Sequence, residues 1–128
     1  MPPTRILLVD EEHPLSRTVQ RELVTVGYQV HVACTPVGGM LSLARLRPDV
    51  LIVNPQAGHG TSAEWERAIE HYRVSRSLSV LVIAVRLPPK ERKALSSVAD
   101  LGVMDRPSCP GGILRILTLW NQRARLAG

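Results

Sequence analysis

The stretch Ile6-Leu7-Leu8-Val9-Asp10-Glu11-Glu12 places four aliphatic residues directly before three carboxylates. A short, continuous apolar run of this kind is typical of a parallel strand that is buried on both faces. Three more runs share this character, and a fifth segment alternates polar and apolar residues as an edge strand does. In chain order these four segments are Gln29 to Ala33 (the alternating one), Val50 to Val53, Val80 to Val85 and Leu101 to Met104. The sequence therefore predicts five strands.

The segments between and after the strands have apolar residues at helical spacing. The first helix is predicted from Pro14 to about Val26, where Gly27 provides a C-terminal cap. The other four are predicted from Met40 to Leu46, Ala63 to Val74, Pro89 to Val98 and Ile113 to Leu126. Strict alternation of strand and helix implies right-handed crossovers and a doubly wound, three-layer α/β sandwich. We expect residues 1–128 to form one domain of this kind.

Composition excludes several classes of protein. The formal charge of +5 comes from 16 basic and 11 acidic residues that are scattered along the chain, so direct nucleic-acid binding is weakly supported. No apolar run approaches the roughly 20 residues of a membrane-spanning helix, and we expect a soluble, cytoplasmic protein. Two cysteines, Cys34 and Cys109, are too few for a disulfide framework or a structural zinc site.

In open parallel sheets, ligands and chemistry collect at the carboxyl ends of the strands. The residues found there are Asp10, Glu11 and Glu12 after the first strand, Asn54 and Pro55 after the third, Ala84 to Arg86 at the fourth, and Asp105, Arg106 and Pro107 after the fifth. The glycines of the loop after Pro55, Gly58 and Gly60, suggest flexibility there rather than a phosphate cradle.

Four parts of the sequence, in this order and spacing, resemble a response regulator receiver domain: residues 6–12, Gly27-Tyr28-Gln29-Val30, residues 47–54 and Arg106-Pro107. The resemblance covers nearly the whole chain. It implies the sheet order 2-1-3-4-5 with five helices, a cis Arg106–Pro107 peptide bond and a role in two-component, phosphorelay signalling. In that family an aspartate ending strand three accepts a phosphoryl group beside Mg²⁺, which acidic residues after strand one hold.

Carried over by position, Asp10 and Glu11 match the acidic pair, but other positions depart from the family pattern. Asn54 stands at the phosphoacceptor position, Ala84 at that of a hydroxyl residue and Arg106 at that of a lysine, while Val103 replaces a frequent aromatic. An amide oxygen is a poor nucleophile, so we expect aspartyl phosphorylation to fail. The resemblance is therefore to a degenerate pseudo-receiver, a signalling module and not an enzyme.

The acidic residues after the first strand have two interpretations. Asp10 and Glu11 could form a weak Mg²⁺ site, the sole cofactor that the resemblance implies, or Asp10, Glu11 and Glu12 could cap the following helix and form ion pairs. Arg106 could itself occupy the pocket, because a guanidinium can pair with Asp10 or Glu11 and replace the metal with a permanent cation.

The last helix carries more apolar residues than one core-facing stripe needs. Either a neighbouring element covers the surplus, or helices four and five form a partner or dimer surface with Trp120 as an anchor. Its candidate residues are Ile116, Leu119, Trp120, Arg115 and Arg123. The resemblance implies a protein partner, which could be a histidine kinase, another regulator or an output protein, and allows a homodimer.

Two other functions stay open at this point. The chain could be a conventional receiver in which Asp10 or Glu11 accepts the phosphoryl group. It could instead be a flavodoxin-like binder of a nucleotide or flavin on the same scaffold, although three carboxylates after the first strand would repel a phosphate.

Overall fold

The computed structural model describes residues 3–106 and 110–127, which form a parallel sheet with helices on both faces. The strands are β1 (Arg5–Val9), β2 (Gln29–Ala33), β3 (Val50–Val53), β4 (Ser79–Ala84) and β5 (Gly102–Asp105). The helices are α1 (Pro14–Thr25), α2 (Pro36–Leu46), α3 (Ser62–Arg73), α4 (Pro89–Ser96) and α5 (Pro110–Ala127). The sheet order is β2-β1-β3-β4-β5, so the predicted doubly wound fold and its strand order are confirmed.

Helix α2 begins four residues earlier than its apolar spacing predicts. Thr35 adopts an extended backbone and its Oγ1 accepts a hydrogen bond from the Gly38 N–H at 3.0 Å. Pro36 then occupies the first turn, where its missing N–H costs nothing. The cap and the proline therefore set the start of α2. The helix ends at Leu46, and its C-cap residue Arg47, which has a left-handed backbone, precedes Pro48.

Alternate residues of the central strands supply two separate cores. On one face of the sheet, Leu7, Leu51 and Val82 pack against residues of α2, α3 and α4. On the other face, Leu8, Ile52 and Ile83 pack against residues of α1 and α5. Every residue of β3 is fully buried, which explains why this strand has no polar residue until Asn54.

The loop that follows β3 is packed tightly against the loop that follows β2. It contains a short 3₁₀ turn (Ala57–His59), in which Gly58 has a φ of +61°. A Cβ atom at Gly58 would lie 2.6 Å from the backbone oxygen of Cys34, and one at Gly60 would lie 2.5 Å from that of Pro55. These glycines thus permit close backbone approach, a role that the sequence did not suggest for this loop.

Within residues 3–106 and 110–127, none of the helices combines the length and the apolar character that crossing a bilayer requires.

Adjacent substitutions test the packing of this loop. We expect Gly58→Ala to lower the free energy of unfolding by about 2–4 kcal/mol, since the new methyl group meets a backbone carbonyl in a left-handed conformation. His59→Ala is the matched control, because His59 also has a φ of +61° but its side chain is exposed. It should change stability by less than about 1 kcal/mol. Urea unfolding measures both, and equal losses would contradict close packing at Gly58.

Candidate functional site

The ends of β1, β3 and β5 meet at the carboxyl edge of the sheet, and backbone hydrogen bonds hold the residue that follows each strand. The N–H of Asp10 donates to the oxygen of Ala33 at 3.1 Å, and that of Asn54 donates to the oxygen of Val9 at 2.8 Å. These two bonds continue the strand pairing one residue past β1 and β3. The Arg106 N–H likewise donates to the Ala84 oxygen at 3.1 Å, past the ends of β4 and β5.

The Asp10 carboxylate is the centre of the site, and its side chain is only 4% exposed. Its Oδ1 accepts hydrogen bonds from the Glu11 N–H at 2.8 Å and from Nδ2 of Asn54 at 3.0 Å. Its Oδ2 accepts a hydrogen bond from Oγ of Ser16 at 2.8 Å and forms an ion pair with Nη2 of Arg106. A carboxylate offers about four lone-pair positions, so four protein donors saturate Asp10.

Arg106 supplies the charge that compensates Asp10. Its side chain is 14% exposed and crosses from the end of β5 toward β1, where Nη2 also lies 3.5 Å from Oγ of Ser16. The Arg106–Asp10 ion pair proposed from the sequence is present, through Nη2. A buried carboxylate without a cation would carry a desolvation penalty of several kcal/mol, which the guanidinium and the three hydrogen bonds offset.

Little space is left around the ion pair. Asp10, Ser16 and Arg106 line a cavity of about 10 Å³ together with apolar residues of α1, β4, β5 and α5. That volume is about the size of one water molecule. The Asn54 amide forms a hydrogen bond at each end: its Nδ2 donates to Asp10, and its Oδ1 accepts the Gln56 N–H at 3.1 Å.

The other two carboxylates of the acidic stretch lie outside this cluster. Glu11 and Glu12 are exposed, and Glu12 forms an ion pair with Arg17. None of the three caps α1: the N-cap is His13, whose Nδ1 accepts the Leu15 N–H at 3.1 Å. Among the described residues, no three His, Cys, Asp or Glu side chains are grouped closely enough to hold a metal ion.

Sequence reasoning missed Ser16. The residue is buried on the stripe of α1 that also contains Val19 and Leu23, and its hydroxyl points back to the end of β1. A serine on an otherwise apolar helical stripe, six residues after a buried aspartate, was the available signal, because a buried hydroxyl needs a hydrogen-bond partner.

No protein-family model and no curated protein sequence matches this chain. Solved structures do match over nearly its whole length. A CheY-like response regulator receiver domain protein from Methanospirillum hungatei is 16% identical with a TM-score of 0.84, and the match covers 99% of this chain and 100% of that one. The chain has the receiver-domain fold.

Two further receiver structures give the same result at similarly low identity. The chemotaxis response regulator CheY4 of Vibrio cholerae is 21% identical with a TM-score of 0.75, and the match covers 91% of this chain and 98% of that one. The signal receiver domain of a modulated diguanylate cyclase from Desulfovibrio desulfuricans is 16% identical with a TM-score of 0.77, covering 99% and 100%.

On the receiver fold, the positions that depart from the family pattern lie where the sequence placed them. Asn54 follows β3 and is 2% exposed, Ala84 ends β4 and is buried, and Arg106 follows β5. Val103 lies in β5 and packs partly against the core shared with α2, α3 and α4. Pro107, and with it the expected cis peptide bond, lies outside the described residues.

The surplus apolar residues of α5 are mostly covered. Ile116 and Trp120 pack against the core between α1, α5 and the sheet, and the indole N–H of Trp120 donates to Oγ of Ser79 at 2.8 Å. Trp120 is therefore half-buried, with the hydrogen-bond partner that a half-buried indole needs, and its role as an anchor of a partner surface stays a prediction. Leu119 is 53% exposed, and Arg115 and Arg123 are exposed.

Removal of the buried cation should destabilise the fold. We expect Arg106→Gln to lower the free energy of unfolding by about 3–5 kcal/mol, since it leaves Asp10 buried without a counterion. Arg92→Gln is the matched control. Arg92 pairs with Asp105 at 2.8 Å, but both side chains are substantially exposed, so its loss should cost less than about 1 kcal/mol.

A double variant separates the ion pair from general packing. Asp10→Asn combined with Arg106→Gln should be less destabilising than the sum of the two single changes, because each single change leaves an unpaired charge in the pocket and the double variant leaves none. Urea unfolding of all four proteins measures the coupling. Strictly additive losses would show that Asp10 and Arg106 contribute independently.

Proposed function

We propose that this chain is an atypical receiver module of two-component signalling, which is not phosphorylated on a carboxylate and acts by binding another protein. The observation that carries the proposal is the saturated Asp10 carboxylate, paired with Arg106 and bonded to Asn54. The receiver-domain fold supports a role in phosphorelay signalling. In this chain the negative charge of Asp10 is balanced within the pocket by the positive charge of Arg106.

Nucleophilic attack on a phosphodonor lacks a suitable residue in this pocket. Asn54 has an amide, which is a poor nucleophile, and its oxygen already accepts the Gln56 N–H. Asp10 is the other candidate, yet both of its oxygens accept protein hydrogen bonds and its side chain is 4% exposed. A conventional receiver that uses Asp10 would have to break the ion pair before each reaction.

The oxygen ligands of the pocket also do not fit Mg²⁺. This ion needs near-ideal octahedral coordination by oxygen, usually from one or two carboxylates and several waters. Asp10 has no free lone pair for it, the Glu11 side chain is exposed, and the guanidinium of Arg106 places a positive charge where the cation would approach. We therefore propose that the pocket functions without a divalent cation.

The segment between β4 and α4 has features that favour a single backbone conformation. Ala84 has no hydroxyl to bind a phosphoryl oxygen, and Pro88 and Pro89 restrict the backbone where α4 begins. Leu87 packs partly against the core. These features support a surface that is the same at all times and is not switched by phosphorylation.

The face formed by α4 and α5 is the candidate docking surface. Its exposed residues include Leu119 on α5 and four cations that make no ion pair in the described part of the chain: Arg115 and Arg123 on α5, and Lys90 and Lys93 on α4. A symmetric dimer through this face would bring like charges together, which disfavours association. The charge instead suits an acidic surface on a different protein, such as a kinase or output protein.

Acetyl phosphate tests the absence of phosphorylation. We expect the wild-type chain, incubated with acetyl phosphate and Mg²⁺, to show no gain in intact mass, because the buried carboxylate of the pocket, Asp10, is paired with Arg106. The matched comparison is Asn54→Asp combined with Arg106→Lys, which restores the acceptor carboxylate and the lysine of a phosphorylatable receiver. This variant should gain one hydroxylamine-labile phosphoryl group. A labile gain in the wild-type protein would show that Asp10 or Glu11 reacts.

Light scattering tests the proposed docking surface. The protein should stay monomeric over a concentration series, with or without Mg²⁺ and beryllofluoride, since like charges oppose self-association and the pocket is filled. Leu119→Asp should leave this mass unchanged, as should the control Val74→Asp, which changes a valine that is 86% exposed at the end of α3. A dimer that only Leu119→Asp dissociates would show that the face binds a second copy.

A further inference from the structure

A groove lies at the amino end of the sheet, opposite the site around Asp10. Its walls come from the turn between α1 and β2, from the residues before β1 and β3, and from the second half of α5. Its volume is about 930 Å³, which is within the range of sites that hold small molecules. Neither the sequence analysis nor the proposed function uses it.

Two aromatic side chains line the groove from opposite elements, Tyr28 at the start of β2 and Trp120 on α5. Both are half-buried and pack against the core between α1, α5 and the sheet. The hydrogen bond from Trp120 to Ser79 holds the indole ring in place. Fixed aromatic rings give a flat ligand large contact area at little entropic cost.

The groove is also lined by one cation and one carboxylate, Arg125 and Asp49. Arg125 lines it close to the Tyr28 phenol, whose pKa burial raises and the Arg125 guanidinium partly lowers. Among residues 3–106 and 110–127, Arg125 has no ion-pair partner. Asp49 also lines the groove; it accepts the neutral backbone N–H of Arg5 at 2.9 Å and makes no ion pair among the described residues, but Arg125 is the charge that acts on the Tyr28 phenol. Arg125 is thus available to bind an anionic group.

We infer that this groove is a binding site for a small, planar aromatic anion, whose ring system lies against Tyr28 and Trp120 and whose acidic group pairs with Arg125. The size of the groove fits a ligand of two or three rings. Asn121, which is half-buried in the same wall, adds an amide for a polar substituent.

The inference is independent of the proposed function. The groove is formed at the starts of the strands, whereas the Asp10–Arg106 pair is formed at their ends. Failure of one proposal therefore does not affect the other.

The test uses 8-anilinonaphthalene-1-sulfonate, an aromatic anion that fluoresces when bound. Titrated into the full chain, it should give a saturable signal with one site per chain. Arg125→Gln should weaken binding about tenfold or more, the loss expected for one charge-assisted contact. Ala124→Phe, which fills the groove with a ring, should abolish the saturable signal. Arg67→Gln, which changes an exposed arginine of α3 outside the groove, should change the affinity less than about twofold.

Several outcomes would overturn the inference. Non-saturable fluorescence, or equal affinities for wild type, Arg125→Gln and Ala124→Phe, would place the probe elsewhere. If the uncharged N-phenyl-1-naphthylamine bound with the same affinity as the anionic probe, Arg125 would have no role in binding. If the protein without probe self-associates and Ala124→Phe makes it monomeric, the groove binds a second copy instead. Circular dichroism of each variant distinguishes these results from loss of folding.

Discussion

Burial of the Asp10 carboxylate is the constraint from which the rest of the site follows. A charge at this depth requires a nearby cation and hydrogen bonds to every lone pair, and four separate parts of the chain provide them. They are the backbone of Glu11, the hydroxyl of Ser16, the amide of Asn54 and the guanidinium of Arg106. The same contacts connect α1 with the ends of β1, β3 and β5, so neutralising one charge also determines how these elements meet.

The fold could be predicted from the sequence because a parallel sheet that is covered on both faces requires a simple sequence pattern. Each central strand must be apolar throughout, and each helix must present one apolar stripe, so the five strands and five helices could be counted directly. The boundaries were less accurate. The start of α2 depends on the hydroxyl of Thr35 and on Pro36, which the apolar spacing does not report. Turn and capping chemistry is local, and it decides where an element begins.

The site was predictable only in part. The resemblance to receivers selected Asn54 and Arg106, but it said nothing of Ser16, which has no counterpart in the quoted motifs and depends on the helix pointing back toward β1. The half-burial of Trp120 was not predicted either. Helical periodicity shows which residues share a helix face, but it does not show that Ser79 of a distant strand lies within reach of the indole. Both cases depend on how separate elements pack against each other.

Arg106 and Ser16 meet although they are ninety residues apart in the chain. Arg106 follows β5, the edge strand that pairs only with β4, so it can reach the pocket only after most of the sheet has assembled. Contacts of such long separation pay a large loop-closure entropy and tend to form late in folding. We therefore expect the ion pair to add little to the rate of folding and mainly to slow the opening of the β5 edge in the native protein.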